Sequence, residues 1–191
     1  GMPGSTAAET AAIQDILVED GKFISIAPNL KATLEAQGKD MASVEVIDLG
    51  GKLVCPPFCD THLHLDYVFT ARKPGAVNES GTLFEGIQRW SETKADLTVD
   101  EIKERAKIGI AKEMRHGVQF IRSHADVTDP NLTSLKALLE LKEELKDTVT
   151  LQIVSFPQEG MYSYEGPHGE SGADLVEEGL KMGADCVGGI P

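Results

Sequence analysis

A strand-and-helix unit recurs along most of this chain at a spacing of about 33 residues. Apolar segments with the pattern of buried strands centre on Phe120, Ile153 and Val187, and helical leucine and valine patterns lie between them. A (β/α)8 barrel of about 250 residues uses about 31 residues per unit. Strict alternation of strands and helices also implies a parallel sheet. Residues 56–191 are therefore predicted to form the first part of a TIM-like (β/α)8 barrel, with about four barrel strands.

Residues 1–55 show the pattern of a small β subdomain. Apolar segments 13–18 and 23–27 flank Asp20-Gly21, which is a strong signal for a β-hairpin. The alternation of apolar and polar residues in 44–49 predicts a third strand. The polar segment 31–43 between them is compatible with a short helix or with a loop.

Charge and cysteine content narrow the class of protein. The 191 residues include 18 Lys and Arg against 31 Asp and Glu, a formal net charge of −13. Such a balance argues against nucleic acid or an anionic membrane as a partner. No apolar run approaches the ~20 residues that span a bilayer, and three cysteines without framework spacing suit a reducing compartment. We therefore expect a cytoplasmic enzyme that acts on a small molecule.

Two histidines one residue apart, His62 and His64, end the first predicted barrel strand. Side chains at i and i+2 of a strand point to the same face, so both rings can reach one metal ion. Neutral imidazole is a preferred ligand of zinc and also suits iron. Cys55 and Cys59 would point to the opposite face of a regular strand, and we interpret them as buried thiols rather than zinc ligands.

Later strands also carry polar side chains near their ends. Arg122, His124 and Asp126 share one face of the strand at 118–126, at the end where barrel active sites form. His124 and Asp126 are compatible with a network that supports a metal, and His124 equally with a direct substrate contact. Gln158 follows the strand at 149–156, and its carboxamide can donate and accept hydrogen bonds at an amide-like ring edge.

Four segments, taken in order, resemble those of a known family: 56–66 (PPFCDTHLHLD), 80–90 (SGTLFEGIQRW), 122–127 (RSHADV) and 156–160 (FPQEG). From about residue 13 onwards the chain resembles bacterial cytosine deaminases of the amidohydrolase superfamily. The H-x-H motif marks the superfamily alone, whereas the second and fourth segments narrow the resemblance to the cytosine deaminase branch.

The resemblance implies a barrel beside a composite β-sandwich to which residues 1–55 contribute. It also implies one iron or zinc ion that activates water to deaminate cytosine or a related pyrimidine or triazine ring. By the same resemblance His62 and His64 are metal ligands, Gln158 binds the ring, and Leu83 contacts the ring through its backbone from a loop. The family's acid/base glutamate and its remaining ligands, a histidine and an aspartate of later strands, have no counterpart up to residue 191.

Other interpretations were weighed against this one. His168-Gly169-Glu170 matches part of a different deaminase zinc signature, but no P-C-x-x-C follows, so we interpret His168 as a loop residue. The chain is then either part of a metal-dependent deaminase or a truncated, catalytically silent amidohydrolase chain that only self-associates. Open sheet edges and an uncovered apolar face predict a homo-oligomer. With His62 and His64 as the only clear ligands, metal is expected to be absent or weakly bound.

Overall fold

A computed structural model describes residues 13–189, which divide between Pro56 and Pro57 into two units. The first unit contains β1 (Asp15–Glu19), β2 (Lys22–Ala27) and α1 (Leu30–Ala36), followed by a short 3-10 turn at Met41–Ser43. The second unit contains, in chain order, β3 (Phe58–Leu63), α2 (Leu83–Lys94), α3 (Val99–Arg115), β4 (Val118–Asp126), α4 (Thr133–Glu144), β5 (Thr150–Phe156), α5 (Gly172–Met182) and β6 (Cys186–Val187).

The first unit is built on the predicted hairpin. β1 and β2 pair in antiparallel fashion, and the turn residues Asp20 and Gly21 both have positive φ angles, of 50° and 72°. Two such residues are what a tight type I′ hairpin turn requires, and Asp-Gly supplies them at low cost. The backbone N–H of Leu30 donates to the Asp15 carboxylate at 2.9 Å, which ties the start of α1 to β1.

The prediction of a third strand at 44–49 is wrong. This segment forms no strand, and Val46 and Ile47 are 60% and 72% exposed. A strand forms only where a neighbouring strand accepts and donates its ladder of hydrogen bonds. Among the described residues of this unit, β1 and β2 pair only with each other, so the segment at 44–49 has no partner strand.

The second unit is a parallel sheet in the order β3-β4-β5-β6, with helices between the strands. The four predicted barrel strands and their parallel arrangement are therefore confirmed. Helices α3 and α4 cover the sheet with apolar stripes at helical spacing, of which these members are at most 2% exposed: Ile102, Ala106, Ile110, Leu135, Leu138 and Leu141. Burial of each large aliphatic side chain contributes about 1.5–3 kcal/mol, so these stripes fix the sheet on which the polar strand ends stand.

The expectation of buried thiols is wrong, because Cys55 and Cys59 are both exposed. Burial requires a layer of side chains above the strand, and the described part of the second unit provides none over the start of β3. Phe58, which neighbours Cys59 on that strand, is itself mostly exposed. No helix in the described part of the chain has the length and apolar character needed to span a bilayer.

Candidate active site

The end of β3 brings two histidines to one side of the sheet. The Asp60 carboxylate accepts the backbone N–H of His62 at 2.9 Å, and the Ser123 hydroxyl accepts the N–H of Leu65 at 3.0 Å. These two contacts hold the chain on either side of His64. The rings of His62 and His64 lie with their centroids 5.3 Å apart, so the two side chains converge as their i, i+2 spacing predicts.

A third histidine joins them from β4. The His124 ring stacks on His62 with a centroid distance of 4.1 Å and lies 5.3 Å from His64. One nitrogen from each of the three residues lies within 4.8 Å of the others. His124, which the sequence suggested only as a supporting or substrate-contacting group, is thus placed beside the other two as a third possible nitrogen donor.

Within the histidine cluster formed by His62, His64 and His124, the surroundings of His64 and His124 favour neutral rings. Burial, together with His124 and His62 nearby, lowers the pKa of His64 from 6.5 to about 4. Burial and the proximity of His62 also lower the pKa of His124. Neutral imidazoles keep a free lone pair at physiological pH, which is the form that binds metal.

Two atoms of the cluster lack partners. The Nδ1 atoms of His64 and His124 are buried and form no hydrogen bond with any described residue. A buried polar atom without a partner costs about 1–3 kcal/mol, and coordination of a cation would offset that cost. Three imidazole nitrogens are a donor set that zinc and iron accept. The residues present therefore fit a divalent transition metal.

Behind the histidine cluster lie two fully buried aspartates. Asp66 Oδ2 accepts the backbone N–H of Asp126 at 2.9 Å, and burial raises the pKa of Asp66 to about 7. The Asp126 carboxylate accepts hydrogen bonds from the Trp90 indole at 2.7 Å, from Lys94 at 2.9 Å and from the Thr128 backbone at 2.8 Å. Asp126 thus joins β4 to α2.

Gln158 is held from two sides. Its backbone N–H donates to Asp126 at 3.3 Å, and its side-chain Oε1 accepts the hydroxyl of Tyr67 at 2.7 Å. Its neighbour Glu159 forms an ion pair with Lys94. The Gln158 side chain is 7% exposed, so the sequence expectation of a polar group at the strand end is met by a constrained carboxamide rather than a mobile one.

Gln158 also lines an open depression of about 610 Å³, together with Ile87 and residues 159–163. The three histidines do not belong to this lining; the link to them runs through Tyr67, whose ring lies 4.7 Å from that of His64. Leu83 is the first residue of α2 rather than part of a loop, and its side chain is 69% exposed. The expectation of a loop at Leu83 is wrong. The Thr82 hydroxyl caps the helix by accepting the N–H of Glu85, so the helix begins at Leu83.

The sequence reasoning missed three residues of this region: Tyr67, Trp90 and Lys94. Trp90 and Lys94 are four residues apart and therefore share one face of α2. Lys94 lies on the same helix face as Trp90, and a lysine on an apolar helix face indicates that a buried carboxylate pairs with it. The only sequence signal for Tyr67 was its position three residues after His64. His168, in contrast, lies exposed in a turn as expected.

Comparison with known proteins identifies the family of this chain and several similar proteins. A model of the amidohydrolase family matches residues 45–189. The fold superposes on 5-methylcytosine deaminase from Klebsiella pneumoniae, solved with phosphonocytosine bound, with a TM-score of 0.77 and 42% identity, covering 94% of this chain and 41% of that one.

Two curated proteins are also similar. N-isopropylammelide isopropyl amidohydrolase of Pseudomonas sp. (strain ADP) is 31% identical over 186 residues, which are 95% of this chain and 43% of that protein. Pterin deaminase of Rhizobium rhizogenes is 28% identical over 152 residues, which are 77% of this chain and 32% of that protein. The chain thus spans about a third to two fifths of the length of these relatives.

Proposed function

This chain belongs to the amidohydrolase family, and we propose that its protein hydrolytically deaminates cytosine, 5-methylcytosine or a related aminated ring. The observation that carries the proposal is the histidine cluster, with one nitrogen of each residue within 4.8 Å of the others. Its similarity to a 5-methylcytosine deaminase at 42% identity supports the choice of a pyrimidine.

We assign His62 and His64 as ligands of one zinc or iron ion, with His124 beside them. Such an ion, when bound, would lower the pKa of water and so supply a nucleophile at neutral pH. The lowered pKa values of His64 and His124 keep these rings unprotonated, which maintains their ability to bind the ion.

The other residues bind and orient the ring. Gln158 offers its carboxamide at the end of β5, and Tyr67 holds that carboxamide at 2.7 Å. Leu83, at the exposed start of α2, is proposed to contribute a backbone contact. Asp126 supports the arrangement by binding the backbone of Gln158. The group that passes a proton to the leaving ammonia is not assigned to any residue of this chain.

Ammonia release tests the proposal. The longest protein that the gene encodes is purified, loaded with zinc or iron, and assayed with cytosine, 5-methylcytosine, pterin and N-isopropylammelide, with a chelated sample as control. We expect metal-dependent release of ammonia, fastest from a pyrimidine. Isopropylamine release from N-isopropylammelide alone would instead favour the chemistry that the Pseudomonas relative's name describes. No release from any ring would contradict the proposal.

The 191-residue chain by itself is expected to release no ammonia and to self-associate. Large apolar side chains stand exposed on three of its parallel strands: Phe58, Phe120 and Val187. Apolar surface of this kind favours association between copies. Light scattering that shows a stable monomer would contradict this expectation.

A further inference from the structure

We infer that the Tyr67 hydroxyl fixes the direction of the Gln158 carboxamide, so that the site offers an N–H donor and selects rings that carry a carbonyl oxygen at that edge. Tyr67 is then a positioning residue that determines specificity through Gln158. The inference rests on the proposed function and adds to it the hydrogen-bonding pattern of the substrate.

The direction of the carboxamide follows from the chemistry of its contact with Tyr67. The tyrosine oxygen lies 2.7 Å from Gln158 Oε1, an atom that only accepts hydrogen bonds, so the hydroxyl donates. The reversed carboxamide would present its N–H2 group to the same oxygen. The hydroxyl proton would then have no acceptor among the described residues. The observed direction is therefore the one that satisfies both groups.

The ring of Tyr67 has little freedom to move away from this contact. It stacks on the ring of Trp90 with a centroid distance of 3.9 Å and an interplanar angle of 28°. Trp90 is itself fixed, since its indole N–H donates to the buried Asp126 at 2.7 Å. The same aspartate accepts the backbone N–H of Gln158. Both partners of the Tyr67–Gln158 contact are thus anchored to one carboxylate.

The backbone on either side of Tyr67 is also held. Nη1 of Arg105, on α3, donates to the carbonyl oxygens of Asp66 at 2.9 Å and of Val68 at 2.6 Å. The N–H of Tyr67 donates to the carbonyl of His64 at 3.1 Å. The turn that presents the tyrosine is therefore built into the framework that places His64.

The Tyr67 hydroxyl donates to Oε1 of Gln158. With Oε1 occupied, Nε2 of Gln158 is left to serve a ligand, and it donates to no described residue. A carbonyl oxygen is the ring acceptor that best complements it.

The test compares two ligands that differ in that carbonyl. Cytosine carries a ring carbonyl, and 4-aminopyrimidine lacks it. In the longest protein that the gene encodes, selectivity is measured as the ratio of the Ki of 4-aminopyrimidine to the KM of cytosine. Tyr67→Phe retains the ring and its stacking on Trp90 while it removes the donor. We expect selectivity to fall about tenfold, mainly through a higher KM for cytosine, with kcat changed less.

Three further variants separate positioning from structure. In a Gln158→Ala background, Tyr67→Phe is expected to leave selectivity unchanged within twofold, because the group it orients is gone. Gln158→Glu still accepts from Tyr67 but replaces the donor by a second acceptor, and it is expected to lose the preference for cytosine altogether. Tyr164→Phe removes the same atom from another partly buried tyrosine and is expected to leave selectivity unchanged.

The possible outcomes are distinct. A loss of selectivity in Tyr67→Phe that disappears in the Gln158→Ala background supports the inference. Unchanged selectivity in Tyr67→Phe, or a loss of equal size in both backgrounds, overturns it while the proposed function stands. Absence of ammonia release from the unmodified protein overturns the proposed function and this inference with it. Thermal melting of each variant, compared with that of Tyr164→Phe, identifies any that fails to fold.

Discussion

The ammonium of Lys94 lies 2.9 Å from Oδ2 of Asp126, and both groups are almost completely withdrawn from water. Lys94 also donates to the Thr128 hydroxyl at 3.0 Å and pairs with Glu159. One side chain on α2 thereby links the end of β4 to the segment that carries Gln158. These contacts attach the segment that carries Gln158 to the end of β4.

Replacing Lys94 by methionine is expected to destabilise the fold by about 2–4 kcal/mol, because it leaves the buried charge of Asp126 without its cation. Burial lowers the pKa of Lys94, but Asp126 and Glu159 raise it by more, so the folded value lies above 10.5. The contribution is therefore fully present at neutral pH and is lost only as pH rises through the folded value.

Urea denaturation at pH 7 measures the effect of Lys94→Met. Lys181→Met, which removes an exposed ion pair with Glu177, is the matched control and is expected to change the free energy of unfolding by less than about 0.5 kcal/mol. Equal effects of the two substitutions would show that burial of the Lys94 pair is not what matters.

Metal binding is expected to depend on each member of the histidine cluster. After chelation and dialysis, zinc affinity of the 191-residue chain is measured by competition with a chromophoric chelator. His62→Ala, His64→Ala and His124→Ala should each weaken binding tenfold or more if each residue supplies one of the three nitrogens of the cluster to the metal.

His168→Ala provides the control for the zinc titration, since His168 lies in an exposed turn, and it should bind zinc as the parent chain does. Zinc affinity that is insensitive to His124→Ala but sensitive to the other two substitutions would return His124 to a supporting role.

Gln158→Ala is expected to weaken substrate recognition and leave metal binding unaltered, because Gln158 is proposed to bind the ring and lies outside the histidine cluster. In the longest protein that the gene encodes, kcat/KM for cytosine should fall by about tenfold to a hundredfold, while metal content determined by mass spectrometry stays the same. An unchanged kcat/KM would refute the assignment of Gln158.

Two helical glycines should respond in opposite directions to alanine. A Cβ at Gly179 of α5 would lie 2.5 Å from the Ser155 hydroxyl and 3.1 Å from Leu135, so Gly179→Ala is expected to cost about 1–3 kcal/mol. A Cβ at Gly109 of α3 would meet Leu65 at 3.4 Å, an ordinary contact.

Gly109→Ala is therefore expected to gain up to about 1 kcal/mol from the higher helix propensity of alanine. Denaturant unfolding of both variants measures the difference. If Gly179→Ala were as stable as Gly109→Ala, the close approach of α5 to β5 would not be a constraint on the fold.

The parts of the fold that depend on local patterns were predictable from the sequence. Asp20-Gly21 determines its hairpin within four residues, and the alternation around His62 and His64 determines which face they share. The prediction of a strand at 44–49 failed because a strand requires hydrogen bonds to a partner strand, and the alternation of residues within one segment does not report whether such pairing forms. The exposure of Cys59 depends likewise on what covers a strand, and periodicity carries no information about that.

The parts of the candidate site that lie at the end of a single strand could be predicted from the sequence. Contacts between side chains of different strands and helices could not. His62, His64 and Gln158 stand at strand ends that the pattern identifies. The stacking of His124 on His62 depends on the register between β3 and β4, which includes an irregularity after Asp60. The contacts of Tyr67 with Trp90 and Gln158 join residues 23 and 91 positions apart along the chain, and no local signal relates them.

The guanidinium of Arg105 satisfies two carbonyl groups with Nη1 alone, while its Nε and Nη2 are buried without partners. Burial also lowers the pKa of Arg105. The buried guanidinium therefore carries a desolvation cost that its hydrogen bonds offset only in part. Directed evolution for thermostability alone would therefore tend to replace Arg105 with an apolar residue of similar length. Such variants would melt at a higher temperature but would lose the hydrogen bonds that hold the backbone on either side of Tyr67. Selection for stability and selection for the proposed substrate discrimination would then favour different residues at position 105.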